Sequence, residues 1–206
     1  MIRLLLTVNS MNSFTPQADS QEKKENCKKK NGKVRALPLA DLAVFSMFAA
    51  LMFCSKQLME FLPNVHLIGM FTMLLTIVYR KYALIPLYLF VVLQGLYAGF
   101  SLWWMPYTYI WTVLWAVTML LPQTMKDKTA AVVYPLVCAL HGLLYGVLYA
   151  PAQALLFGLD AKQMLSWIAA GFSFDVLHCV GNAVAGLLIL PLSKVLQKLR
   201  KQAFYK

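Results

Sequence analysis

The chain has 206 residues, 60% hydrophobic and only 13% charged, with a mean hydropathy of +0.63. A water-soluble domain of this size has too little interior to hide that much apolar surface, and apolar runs of roughly 15 to 20 residues do not alternate as the strands of a lipid-facing barrel do. The net charge of +11 does not mark a nucleic-acid partner, because the basic residues bracket apolar segments; the pattern is that of an all-α, polytopic membrane protein in a lipid bilayer.

At the amino terminus, Arg3 and the run Leu4, Leu5, Leu6 resemble the start of a secretory signal, but the apolar stretch stops at Val8 and no small-residue cleavage site follows. Residues 9 to 35 are polar and include Lys28, Lys29 and Lys30, too little apolar content to fold alone. Residues 1 to 36 are therefore expected to form a disordered basic arm on the cytoplasmic side.

From Leu37 onward, six apolar blocks are predicted as transmembrane helices, at 39 to 60, 65 to 79, 82 to 100, 107 to 125, 129 to 150 and 174 to 194. A crossing of about 30 Å needs roughly 20 residues, so the second block is short and must tilt or be sheltered. The link from 151 to 173 is long but mostly apolar, and is expected to lie in the interface or fold over the outer face, with Pro151, Gly158 and Gly171 as breakpoints. A seventh span there would put Asp160 and Lys162 in lipid.

Basic residues set the orientation. With both termini cytoplasmic, the arm contributes eight (Arg3, Lys23, Lys24, Lys28, Lys29, Lys30, Lys33, Arg35) and the inner turns contribute Arg80, Lys81, Lys126 and Lys128. The short basic carboxyl tail adds Lys194, Lys198, Arg200, Lys201 and Lys206, leaving only Lys56 and Lys162 outside. This is the expected multi-pass topology of a cell-membrane protein.

The chain contains no G-x-x-x-x-G-K-[ST] phosphate loop, no H-E-x-x-H zinc pair and no serine nucleophile elbow. Its cysteines, Cys27, Cys54, Cys138 and Cys179, form no Cys-x-x-Cys pair, so no metal, cofactor or catalytic residue is predicted. What remains is polar and aromatic residues at helical spacing. Asp175, His178 and Asn182 share one face of block six, within about 60° of one another, and an ionisable stripe in lipid should face a cavity or a partner. Block five carries Tyr134, Cys138, His141, Tyr145 and Tyr149 on one side. Block four supplies Trp111, Trp115 and Thr118, preceded by Trp103, Trp104, Tyr107 and Tyr109 in the outer loop. Lys56 and Glu60 are one turn apart and suited to neutralise each other, and the loop after them, with Asn64 and His66, lies where it could cap a pocket. The first block has small residues at Ala40, Ala43, Ser46, Ala49 and Ala50, which permit close helix approach.

Four stretches resemble the substrate-binding S components of energy-coupling factor (ECF) vitamin transporters: LADLAVFSMFAAL, LPNVHLIGMFTMLLTIVYRKYALIPLY, WWMPYTYIWTVLW and FDVLHCVGNAVAGLLILPL. The resemblance covers about residues 38 to 195. It implies a six-helix substrate-binding domain over 37 to 206, an outer ligand pocket, and docking to a transmembrane scaffold subunit that carries two ATPase subunits. It also implies capture of a vitamin or related small heterocycle without catalysis, followed by toppling in the membrane and release inside. On that reading Trp111, Trp115, Tyr145 and Tyr149 enclose the substrate; His141, His178 and Asn182 hydrogen-bond it; Asp175 sets its charge preference. Asn64, His66, Trp104 and Tyr107 form the gating loops. The scaffold-docking face of such proteins carries Ala-x-x-x-Ala; Ser46 to Ala50 is a near match, whereas the step from Ala43 to Met47 departs from it. Two other classes stay open, an integral-membrane enzyme using His141, Asp175 and His178, and a self-contained secondary carrier, for which no internal hydropathy repeat is found.

Overall fold

The computed structural model describes residues 38–62 and 65–204; the expected arm at 1–36 and the gating residue Asn64 lie outside them. All regular structure among the described residues is helical. The order is α1 (Leu39–Leu58), α2 (Ile68–Tyr79), a 3-10 turn (Arg80–Ala83), α3 (Leu84–Ala98), a second 3-10 turn (Leu102–Trp104), α4 (Tyr107–Leu120), α5 (Asp127–Leu143), α6 (Tyr145–Phe157), α7 (Ala161–Gly186) and α8 (Ile189–Phe204). Among the described residues, four helical segments are long and apolar enough to cross a membrane: Leu39–Leu58, Ile68–Ala98, Asp127–Phe157 and Ala161–Gly186.

The segment Ile68–Ala98 is not one straight rod. Arg80 sits at φ 54°, the only positive φ outside glycine among the described residues, and its strained backbone is held from three directions. Its N–H donates to the Thr76 carbonyl, its own carbonyl accepts from Trp115 Nε1 at 3.2 Å, and its guanidinium donates to the Met119 carbonyl at 2.7 Å. The chain reverses there. His66, just before α2, lies against Trp111 in α4, while Arg80 lies at the far end of α4, so α2 and α4 run the same way. In α3, by contrast, Tyr88 bonds Thr112 and the later Val91 accepts from the earlier Trp104, which makes it antiparallel to α4.

Similar contacts orient the other helices. Along α1, Phe45 meets Tyr79 and Phe48 meets Phe71, antiparallel to α2. Along α7, Trp167 meets Tyr149, Asp175 meets Gly146 and Asn182 meets Cys138, antiparallel to α5 and α6. Helix α1 packs on α3, α2 on α4 and α8, and α5 and α6 on α7. Phe45, Met52, Met73, Phe90, Ile110 and Trp111 fill the space between them. The α5–α7 contact is tight because Gly142 has no side chain: a Cβ there would stand 2.8 Å from the His178 carbonyl oxygen, the small-residue approach expected of apolar helices.

Three expectations about the elements are corrected. The stretch 151–173 is not a loop: α6 continues through Pro151 to Phe157, and α7 begins at Ala161, not at 174. Gly158 is the one real breakpoint, in the left-handed conformation at φ 64° that ends α6. Asp160 then starts α7 with a capping box, accepting from the Gln163 N–H at 2.7 Å while the Gln163 side chain accepts from the Asp160 N–H at 2.9 Å. Asp160 therefore acts at a helix start and needs no place in lipid. Pro151 and Gly171 sit inside helices. Block six also ends early, at Gly186, and the expected tail is the separate helix α8, whose Pro191 falls in the first turn where a missing N–H is tolerated. Tyr145–Phe157 continues from α5 across a kink at Leu144 (φ −91°, ψ 5°), with the bond from the Leu148 N–H to the Leu144 carbonyl kept at 2.9 Å.

Candidate ligand-binding site

The predicted stripes turn inward and meet at the end of the bundle away from Arg80. On α5, Tyr134, Cys138 and His141 are buried; on α7, Asp175, His178 and Asn182 are buried; on α4, Trp111 is wholly enclosed. The loop before α2 adds His66, so all three histidines of the sequence join one cluster, two of them against the Trp111 indole and His178 against His66 and Tyr145. His66 and His141 have ring centroids 5.4 and 5.5 Å from that of Trp111, and His178 lies 4.6 Å from His66 and 4.7 Å from Tyr145. Tyr107 packs on Trp111 at 6.0 Å.

This cluster is packed with side chains but poorly provided with hydrogen bonds. His141 Nε2 meets the Ile110 carbonyl at 3.1 Å and Asn182 Nδ2 donates to the Cys138 carbonyl at 3.1 Å. Among the described residues, His66 Nδ1, both ring nitrogens of His178, His141 Nδ1, Trp111 Nε1 and Asn182 Oδ1 are buried with no hydrogen-bond partner. Each such group forfeits about 1–3 kcal/mol of hydration. A fold made only for stability would place apolar rings there.

In place of the expected single hollow there are two spaces, and Trp111, His178 and Asn182 are packed among side chains and line neither. A smaller space of about 100 Å³ lies beneath the loop before α2, lined by Lys56, Glu60, His66, Tyr107 and Tyr145 among others. Lys56 and Glu60 both face it, and among the described residues no ion pair joins them. A larger space of about 320 Å³, within the range of small-molecule pockets, opens between α6 and α7. Tyr145 is the shared wall.

Two predicted residues stand apart from this cluster. Trp115, one turn beyond Trp111, bonds the Arg80 carbonyl toward the other end of the bundle. Trp104 turns to α3, donating to the Val91 carbonyl at 2.8 Å and packing on Phe100. Tyr149 is tied to the outer loop through its hydroxyl, which donates to the Trp103 carbonyl at 3.0 Å. The predicted docking residues Ala43, Ser46 and Ala50 are exposed along the outside of α1, with the Ser46 hydroxyl turned back to its own helix, donating to the Leu42 carbonyl at 3.1 Å.

Sequence reasoning missed Trp167, Gln153, Phe174 and Gly146, which line the larger space with Asp175. The signal was available: Trp167, Gly171 and Asp175 fall at steps of four, which continues the Asp175 stripe upstream once Asp160 is read as a helix cap. Among the described residues, no group of three or more His, Cys, Asp or Glu is arranged to hold a metal. No family model matches the chain, and neither does any curated protein or solved structure.

Proposed function

We propose that this protein is the substrate-capture subunit of an ECF-type ATP-dependent importer, taking up a vitamin or related small heterocycle at the outer face of the cell membrane. The observation that carries this reading is the buried cluster around Trp111, whose unpartnered nitrogens and adjoining cavities suit a ligand that brings its own hydrogen-bonding groups. Helices α1, α2, α3 and α4, the α5–α6 unit and α7 would make six spans, in keeping with their alternating directions. Helix α8 would lie on the cytoplasmic surface with both termini on that side. The clustering of Arg80, Lys81, Lys194 and Arg200 at one end, opposite Lys56, favours that orientation.

Release would require the ligand side to move relative to the membrane, and the chain has no phosphate loop to drive this itself. A transmembrane scaffold and two ATPase subunits supply the work in this proposal, and the exposed strip at Ala43, Ser46 and Ala50 gives a surface for close helix docking. The test is to purify the chain in detergent and screen vitamins and heterocycles by thermal shift and tryptophan quenching. A hit is expected. Ser46→Leu should leave that binding unchanged and lower uptake by the assembled complex by at least about tenfold, equivalent to about 1.4 kcal/mol of docking. Uptake that persists without any ATPase partner would contradict the proposal and favour a self-contained carrier.

A further inference from the structure

Helices α6 and α7 face each other with matched four-residue steps, Tyr145, Tyr149 and Gln153 on one, Trp167, Gly171 and Asp175 on the other. They line an open-sided space of about 320 Å³, and three features fix its chemistry. The walls are aromatic: the Trp167 indole lies nearly parallel to the Tyr149 ring, at 17° with centroids 5.8 Å apart, and Tyr145 follows 6.0 Å from Tyr149. One side ends on a carboxylate: Asp175 is only 5% exposed and accepts the Gly146 N–H at 3.0 Å. Among the described residues no cation pairs with it. The seat is shaped for that carboxylate, since a side chain at Gly146 would collide with Asp175 Oδ2. Finally, Gly171 on the wall of the space has open room beside it, where a Cβ meets nothing within 4 Å.

Ring faces carry negative potential, and attraction of a cation to them grows when water is excluded. A buried carboxylate without a counter-ion adds to the same field. A neutral ligand leaves Asp175 uncompensated and an anion is repelled. We infer that the space between α6 and α7 binds an organic cation of the quaternary-ammonium or N-alkylated heteroaromatic class, its positive centre against Asp175 and its face against the wall formed by Tyr145, Tyr149 and Trp167. This assignment rests on the substrate-capture reading and narrows its ligand.

The test uses the full chain in detergent and compares choline and N-methylnicotinamide with nicotinamide, which has the same ring without the charge, by tryptophan quenching and thermal shift. The cations are expected to bind at least about tenfold tighter than nicotinamide. Asp175→Asn keeps an oxygen for the Gly146 N–H and should bring the cations down to the neutral level. Gly171→Leu should fill the space and abolish binding without lowering the melting temperature. Equal binding of charged and neutral probes, unchanged discrimination in Asp175→Asn, or full binding in Gly171→Leu would overturn the inference. Should the cations fail while a neutral or anionic compound binds in the wider screen, the cation assignment falls and substrate capture stands; should no compound of any charge bind, both fall.

Discussion

The two ends of the bundle treat their buried polar groups in opposite ways. At the Arg80 end they are paired. Asp41, 3% exposed, faces Arg200 at 3.5 Å, and the same guanidinium donates to the Val78 carbonyl at 3.0 Å and lies 4.5 Å over the Tyr79 ring. At the His66 end, three imidazoles and an indole are buried with at least one ring nitrogen each that finds no hydrogen-bond partner among the described residues. Asp41 is as buried as the imidazoles, while the Arg200 side chain that pairs with it is one-third exposed. One end spends its polar groups on holding helices together, and the other keeps them in reserve for something that enters.

That contrast can be broken at several points. The largest effect is expected from Arg200→Ala, which strands the Asp41 carboxylate and removes the cover from Tyr79. Loss of one partner of a buried pair costs about 3 kcal/mol or more, to be read as a drop in melting temperature in detergent, with ligand affinity unchanged. Trp115→Phe removes the bond to the Arg80 carbonyl together with part of the ring packing and should cost about 1 kcal/mol or more; because Trp115 belongs to the Arg80 end, binding should again be spared. A loss of binding in Trp115→Phe would move that residue into the ligand site and blur the division. Smallest of all, Lys194→Ala breaks a 2.6 Å pair with Asp127 whose side chains are 53% and 71% exposed. Its effect on melting should correspond to less than about 1 kcal/mol.

Much of this arrangement was legible in the sequence. The inward stripes on α5 and α7 followed from helical spacing, because an apolar helix in lipid has only one reason to line up Asp175, His178 and Asn182. Of the three expected breakpoints only Gly158 ends a helix, whereas Pro151 and Gly171 lie within helices. What could not be read depended on partners remote in the chain. Trp111 and Trp115 share one side of α4, yet the strained turn at Arg80 presents a free carbonyl that takes the second indole. Trp104 is drawn away from the cluster by the Val91 carbonyl in the same manner. The error at 161–173 had another origin: the charges of Asp160 and Lys162 were weighed as a cost in lipid, when the pairing of Asp160 with Gln163 marks a helix start. That misreading hid Trp167, and with it the wall opposite Tyr149. Likewise, spacing showed that the stripes converge but not that Trp111 and His178 would be packed among side chains and line neither of two spaces.

The central claim is that the polar groups around Trp111 are kept for a ligand and not for the fold. His178→Phe tests it most directly, because phenylalanine keeps the ring packing against His66 and Tyr145 while deleting both unpartnered nitrogens. The expected result is a melting temperature equal to or above that of the parent chain, together with at least about a tenfold loss of affinity for the compound the screen identifies, because His178 backs Tyr145, the wall shared by both spaces. A lower melting temperature with affinity unchanged would contradict the claim, assigning His178 to the fold instead.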